Sequence, residues 1–296
     1  MTDSQAQSTP AMPSRFMGLL RGIALMRESW FGMFGAALVL FWVIMAIIAP
    51  LLPLYDPLQS FTTLEPIGTE AFDGSGTHWL GTDNRGRDVL SRVIWGSQRV
   101  LIWASIAIVC AYIVGVTMGV IAGYLGGWID DIVSFAANVL ISFPVLVLYV
   151  LIIAFLGASG VNIVIAVTFT TAPIVMRIVR GLIMDLRTRD YVAAAQTRGE
   201  SAWYIMFVEL LPNARGPLIV DLCLRFGYTV VAIATLSFLG LGLPPPDPDW
   251  GLMIREAVPL GTYAGHVMLV PALALSTLIL GFNMMADGLR EISLRD

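Results

Sequence analysis

The sequence predicts an all-α membrane protein with six transmembrane helices, and three observations carry that prediction. Hydrophobic residues make up 57% of the 296 positions and charged residues only 13%, with a mean hydropathy of +0.80. Soluble domains run at about 45–50% apolar and about 25% charged, so this chain has more apolar surface than a water-soluble fold could hide. Six stretches, at 32–52, 100–124, 132–156, 161–184, 217–239 and 266–286, are each long and apolar enough to cross a bilayer, which takes about 20 residues. None shows the strict alternation of a barrel strand, so the spans are helices.

Taken in order, residues 1–31 read as a polar leader followed by an amphipathic helix from Arg15 to Trp30. Phe16, Leu19, Leu20, Ile23, Met26 and Trp30 share one face, with Arg15, Arg21 and Glu28 off it, which suits a helix lying in the membrane interface. Arg27 at the edge of that face has a stem long enough to snorkel. Residues 32–99 form the first span and a long outer segment, rich in turn formers and then in Arg and Asp. Residues 100–296 form a five-helix core with a long polar loop at about 185–215. Within the second span Gly115, Gly119 and Gly123 recur every four residues, a stripe that lets a neighbouring helix approach closely. Pro144, Pro173 and Pro271 sit in or near spans and are the candidate kinks.

Orientation follows from arginine. With the N-terminus inside, most of the arginines fall on the inner side, so both termini are expected in the cytoplasm. Arg85, Arg87, Arg92 and Arg99 run against this rule, clustered before the second span and interleaved with Asp83 and Asp88.

Several chemistries are excluded. All 17 basic residues are Arg, and the absence of Lys removes the P-loop lysine, the Schiff-base lysine and the kinase motifs. Any ATP used must therefore be hydrolysed by another subunit. A net charge of −4 gives no nucleic-acid footprint. Cys110 and Cys223 lie in apolar runs and read as small buried hydrophobes, while His78 and His266 have no partners at metal-ligand spacing. No Gly-x-Ser-x-Gly elbow is present, which argues against an intramembrane hydrolase.

Two places carry candidate function. Asp221 and Arg225 lie four residues apart in the fifth span, hence on one helix face. A lone charge near mid-membrane costs about 2.5–3.5 kcal/mol, so such residues either neutralise each other or line a polar path, and both readings stay open. The second place is the 185–215 loop, which reads Asp190-Tyr191-Val192-Ala193-Ala194-Ala195-Gln196-Thr197-Arg198-Gly199 and continues to Leu211-Pro212-Asn213. Its Ala run favours helix, Gly199 supplies a left-handed cap and Pro212 a stop, giving a helix, a turn, a second helix and a break.

This loop resembles the EAA loop of ABC-transporter permeases. Ala194, Ala195, Gly199, Leu211 and Pro212 fall at matching positions. Ala193 stands where the family often has Glu, and Glu209 where Ile is usual. Arg198 and Glu200 are the residues that could stand in for the missing acid in a contact with the ATPase. Four further regions are similar to the C-type permease of dipeptide and oligopeptide importers. They are His78 to Arg92, Gly123 to Asp130, the outer loop from Ser237 to Leu243 with Trp250-Gly251-Leu252-Met253, and Phe282 to Arg290. The resemblance covers about Arg27 to the C-terminus.

It implies the ABC type I importer permease fold, with cytoplasmic EAA coupling helices seated in ATPase grooves. It also implies a second homologous permease subunit, two cytoplasmic P-loop ATPase subunits that use ATP and Mg, and an extracytoplasmic solute-binding protein. The location implied is a bacterial inner membrane, and the solute a peptide or similar small molecule. No cofactor is expected in this chain. The competing class is a stand-alone ion-coupled secondary transporter, against which stand the single obvious intramembrane charge pair and the lack of an internal repeat.

Overall fold

The computed structural model describes residues 29–71, 76–244 and 246–293, so the amphipathic stretch before Ser29 lies outside the described residues. Helix α1 (Trp30–Ile48) starts where the Ser29 side chain accepts from Gly32 N at 3.3 Å, and passes into a 3₁₀ turn (Ala49–Leu51) at Pro50. The chain then runs through a small antiparallel hairpin, β1 (Thr69–Glu70) and β2 (Thr77–His78), to α2 (Val89–Leu125). After α2 come α3 (Gly127–Ser142), α4 (Val145–Leu156) and α5 (Gly160–Leu186). Three short elements follow: α6 (Asp190–Thr197), α7 (Ala202–Tyr204) leading into a π-helical stretch (Ile205–Leu210), and α8 (Leu211–Asn213). Helices α9 (Arg215–Phe238), α10 (Trp250–Ala257) and α11 (Gly265–Ser293) complete the described chain.

Among the described residues five helices reach the length needed for a span without interruption, and two predicted spans need correction. The second begins at Val89 rather than at 100. The Asp88 carboxylate caps it, accepting from both the backbone N and the Oγ of Ser91 at 2.7 Å, so Arg92 and Arg99 stand on the helix rather than in a loop. The third is not straight: α3 and α4 meet at 92°. Pro144 has no N–H to continue the ladder and forces Phe143 into extended backbone, with ψ 140°, so the helix stops there. Pro173 and Pro271, by contrast, lie inside continuous helices.

The glycine stripe of α2 packs on α5. A Cβ at Gly115 would meet the Ala172 carbonyl and Val175 at 2.7 Å, one at Gly119 the Met176 carbonyl and Val179 at 2.7 Å, and one at Gly123 the Arg180 carbonyl and Ile183 at 2.9 Å. Such contacts are the small-residue packing that holds helices together where no hydrophobic drive exists between them. A second close approach, which the sequence reading did not single out, joins α1 to α11: a Cβ at Gly35 would sit 2.7 Å from the Gly281 carbonyl. Between these two pairs lies a core of Val100, Ile163, Val230, Leu236 and Leu278. Trp250 is completely buried in it, donating from Nε1 to the Val93 carbonyl at 2.9 Å, and meets Trp42 edge to face at 4.9 Å. Outward, large side chains such as Leu40, Ile47, Trp128, Phe135 and Phe155 are exposed, an apolar coat suited to a bilayer rather than to water.

Candidate functional site

The loop between α5 and α9 folds into helix, turn and helix as expected, but the break expected at Pro212 is absent. Pro212 sits in the first turn of α8, where a missing N–H is tolerated, and the chain passes through Ala214 into α9. Gly199 adopts φ +78°, a left-handed conformation that residues with a Cβ seldom take, and so turns the chain between α6 and α7. Ser201 then caps α7, its side chain accepting from Tyr204 N at 3.3 Å. One side of the unit is seated on the ends of α2 and α5: Val192, Ala195, Ile205, Met206 and Leu210 are buried against Val120, Val179 and Ile183. Fully burying an aliphatic side chain of this size contributes about 1.5–3 kcal/mol, so the unit is fixed to the bundle rather than free to swing.

The motif residues divide between the two sides. Ala195 faces inward and Leu211 is half-buried, so they seat the loop. Ala193, Ala194, Arg198, Gly199 and Pro212 are exposed, and Glu200 is half-buried. Arg198 Nη2 reaches Glu209 Oε1 at 3.2 Å and its Nε lies 3.7 Å from Glu200 Oε1, so this arginine clasps α6 to the following helix. Glu209 thereby uses the position where an Ile is usual in the EAA pattern. Sequence reasoning missed Trp203, Tyr204 and Val208, all exposed on the same unit, with Trp203 stacked on Phe207 at 5.6 Å. Trp203 and Tyr204 lie in α7 and Val208 one turn beyond, so an ordinary helical wheel places the three on one side and could have found them. Burial pushes the nearby Tyr191 phenol up from its ordinary value.

Asp221 and Arg225 do meet. Arg225 Nε donates to Asp221 Oδ2 at 3.2 Å, and Tyr112 of α2 donates its hydroxyl to the same oxygen at 2.5 Å. Tyr112 is a third member with no local cue, 109 residues away along the chain. Arg225 also lines a cavity of about 360 Å³ between α4, α5 and α9, together with Tyr149, Thr170, Thr171, Tyr228 and Thr229. The pair thus neutralises itself at the edge of that cavity, with Arg225 on its wall.

The Arg/Asp-rich run before α2 forms a third polar centre, at the opposite end of α2 from the loop. Arg87 Nε donates to Asp83 Oδ2 at 2.8 Å, and its Nη2 reaches Glu256 of α10 at 2.6 Å. Arg92 is fully buried, donating to the Pro57 carbonyl at 3.2 Å and lying 3.7 Å from Asp83. His78 is fully buried with Nδ1 2.9 Å from Asp88, in a cluster of three mutually touching rings with Tyr55 and Phe61. Asp249, also fully buried, caps α10 by accepting from Leu252 N at 3.1 Å, and burial pushes its carboxyl up from the ordinary value. No cluster of His, Cys, Asp and Glu able to hold a metal occurs among the described residues.

Comparison with known proteins adds an independent line. Residues 115–295 match the family described as "binding-protein-dependent transport system inner membrane component". The glutathione transport system permease protein GsiD of Pectobacterium atrosepticum is 37% identical over 217 residues, 73% of this chain and 72% of its own. The dipeptide transport system permease protein DppC of Alkalihalophilus pseudofirmus is 36% identical over 258 residues, 87% of this chain and 83% of its own. Among solved structures, a chain of the MetNI methionine ABC transporter in an inward-facing conformation aligns with a TM-score of 0.58 at 20% identity. It covers 70% of this chain and 97% of that one, a likeness that speaks to the fold.

Proposed function

Since this chain belongs to the family of binding-protein-dependent transport system inner membrane components, and is a permease subunit rather than an enzyme, we propose how its parts divide the work. It forms half of a translocation pore, completed by a second homologous permease subunit. An extracytoplasmic binding protein delivers peptides or similar small solutes, in line with relatives named for dipeptides and glutathione. Two cytoplasmic P-loop ATPases bind ATP and Mg, a task for which this lysine-free chain lacks the residue.

The observation that carries this reading is the α6–α8 unit, packed onto α2 and α5 on one side and uncovered on the other. Its open side presents Ala193, Ala194, Trp203, Tyr204 and Val208, a firm apolar surface of the kind that fits a groove. Arg198, Gly199 and Glu200 shape the turn, Ala195 and Leu211 set its seat, and Pro212 lies on the exposed side. The absence of Glu at Ala193 leaves apolar contact as the main means of docking.

The membrane is the bacterial inner membrane, with both termini in the cytoplasm. The arginines that contradict this orientation on a simple count, Arg85, Arg87, Arg92 and Arg99, follow a first span that carries its own inner arginines, and the first helix usually dominates orientation. Asp221 and Arg225 line the solute path. Asp221→Asn keeps an acceptor for Tyr112 while weakening the hold on Arg225, so the complex should assemble normally and solute uptake should change. Unchanged uptake at normal expression would remove the pair from the path.

The test of the whole reading is purification of the chain from its native membrane in mild detergent, with the accompanying proteins identified and assayed. A second polytopic permease and one or two P-loop ATPases are expected. Recovery of the chain alone at every detergent strength would overturn it.

A further inference from the structure

Helices α5 and α9 carry three arginines between their ends, and two of them have carboxylate partners: both oxygens of Asp130 hold Arg180, and Asp221 holds Arg225. Arg177 differs. Its Nη2 donates to the Asn138 Oδ1 at 2.6 Å, an uncharged acceptor, and no carboxylate among the described residues lies within ion-pair distance. The side chain is nevertheless exposed on a span helix. A full charge left facing hydrocarbon costs several kcal/mol, so an uncompensated guanidinium at this place belongs where water or an anion reaches it.

Arg177 lines a pocket of about 340 Å³ with Ser134, Asn138 and Arg180. The Ser134 hydroxyl and the Arg180 guanidinium are both engaged with Asp130. The groups left to meet a ligand are chiefly donors, the remaining N–H groups of Arg177 and the Asn138 amide NH₂, beside the neutral oxygens of Ser134 and Asn138. A pocket with one unneutralised cation, several free donors and no carboxylate among its lining residues selects an anion.

Its position connects it to the cavity at Arg225. Thr170 and Ile174 of α5 line that cavity, and Arg177 follows Ile174 by three residues, on the same helix face. Four residues further, Gly181 has nothing within 4 Å of where a Cβ would stand. One stripe of α5 therefore runs uncovered from the Arg225 cavity past Arg177 toward the α6–α8 end.

We infer that the Arg177 pocket is a second anion station on the solute path, where Arg177, oriented by Asn138, receives a carboxylate of the solute after it leaves the Arg225 cavity. This rests on the reading of Asp221 and Arg225 as lining the solute path, with the cavity at Arg225 walled in part by α5. Asp221 tempers the charge of Arg225, so the station with the stronger pull is the one nearer the ATPase end.

The test uses the whole complex reconstituted in nanodiscs, with Cys110→Ala and Cys223→Ala as background and Ile174→Cys as reporter. Labelling rates are measured with the anionic sulfonatoethyl and the neutral hydroxyethyl methanethiosulfonates, with Arg177 intact and with Arg177→Gln. The anionic-to-neutral ratio should fall roughly tenfold in Arg177→Gln, the scale set by a unit charge a few Å away at a partly wet site. Equal ratios in the two backgrounds, or no labelling by either reagent, would overturn the proposal. So would an anionic lipid seen by native mass spectrometry on the wild type and absent from Arg177→Gln, which would assign the pocket to a headgroup. Co-purification of the ATPases reads the permease assignment separately, so failure of the station and failure of that assignment are distinguishable.

Discussion

At the N-terminal end of α2, Arg87 and Arg92 are 4% and 0% exposed and hold Asp83, Glu256 and the Pro57 carbonyl. At its C-terminal end, Arg189 and Arg198 stand in the open and pair with Asp185, Glu200 and Glu209, neighbours on their own loop. Both regions are rich in Arg and acid, and in the sequence they look alike. In the first, charge is the interior of a small folded unit that ties the 53–88 segment to α10. In the second, apolar residues make the interior and charge trims the rim of an uncovered surface. Ionic content alone does not say whether a segment is built to stay closed or to be met by a partner; the location of the apolar residues does.

The comparison breaks most severely at Asp83. Asp83→Ala leaves Arg87 and Arg92 without their shared carboxylate, and removing one member of a buried ion pair typically costs about 3–5 kcal/mol. Thermal melting of the purified complex should show the loss, with transport failing because the end of the bundle opens. At the other end, Gly199→Pro demands a φ near −65° where the chain has +78°, so the helix–turn–helix cannot form. The chain should still insert at wild-type level while transport is abolished and ATPase recovery falls. Normal ATPase recovery with that variant would show that the loop is not the dock.

The separation of seat and surface predicts a subtler result at Trp203, which is 62% exposed. Trp203→Ala should leave melting within about 0.5 kcal/mol of wild type, as surface changes generally do. Binding of the ATPases should weaken by roughly tenfold or more, as loss of an aromatic anchor does. A drop in stability with unaltered ATPase binding would reverse the assignment.

The smallest effect concerns pH at the closed end. The Asp249 carboxyl is raised by burial, so its protonated form favours the fold. That stabilisation is complete below the unfolded value of about 3.9 and is lost as pH rises through the folded one. Asp249→Asn keeps an acceptor for Leu252 N and carries no charge, so melting temperatures measured from pH 4 to 8 should change less steeply than in the wild type.

What the sequence could and could not reveal follows from the range of the interactions. The glycine stripe at 115, 119 and 123, the turn at Gly199 and the Asp221–Arg225 pair are all set by neighbours within a turn or two, and each folds as its pattern implies. The start of α2 at Val89 was also written locally, in the Asp88 cap, but the Arg run around it masked the helix as a loop. Pro144 was legible as a candidate break, whereas nothing local sets it apart from Pro173 and Pro271, which interrupt nothing. The Arg87–Glu256 bond spans 169 residues and the Tyr112–Asp221 bond 109, and no periodicity reports such meetings. Trp203, Tyr204 and Val208 share one side of an ordinary helical wheel; what local sequence does not report is that the bundle leaves that side uncovered.

Helix α2 has 37 residues, and at 1.5 Å each it is about 55 Å long, far more than the roughly 30 Å of a bilayer's hydrocarbon. One end is clamped into the charged unit through Asp88 and Arg92. At the other, Arg187 grips the carbonyls of Gly123 and Tyr124, and Val120 meets the underside of the α6–α8 unit. If the ATPases dock on the α6–α8 unit as proposed, the helix would act as a push-rod, and a tilt imposed there would displace the far end held by Asp88 and Arg92. With no proline between its fixed ends, it has no built-in joint at which that stroke could be absorbed.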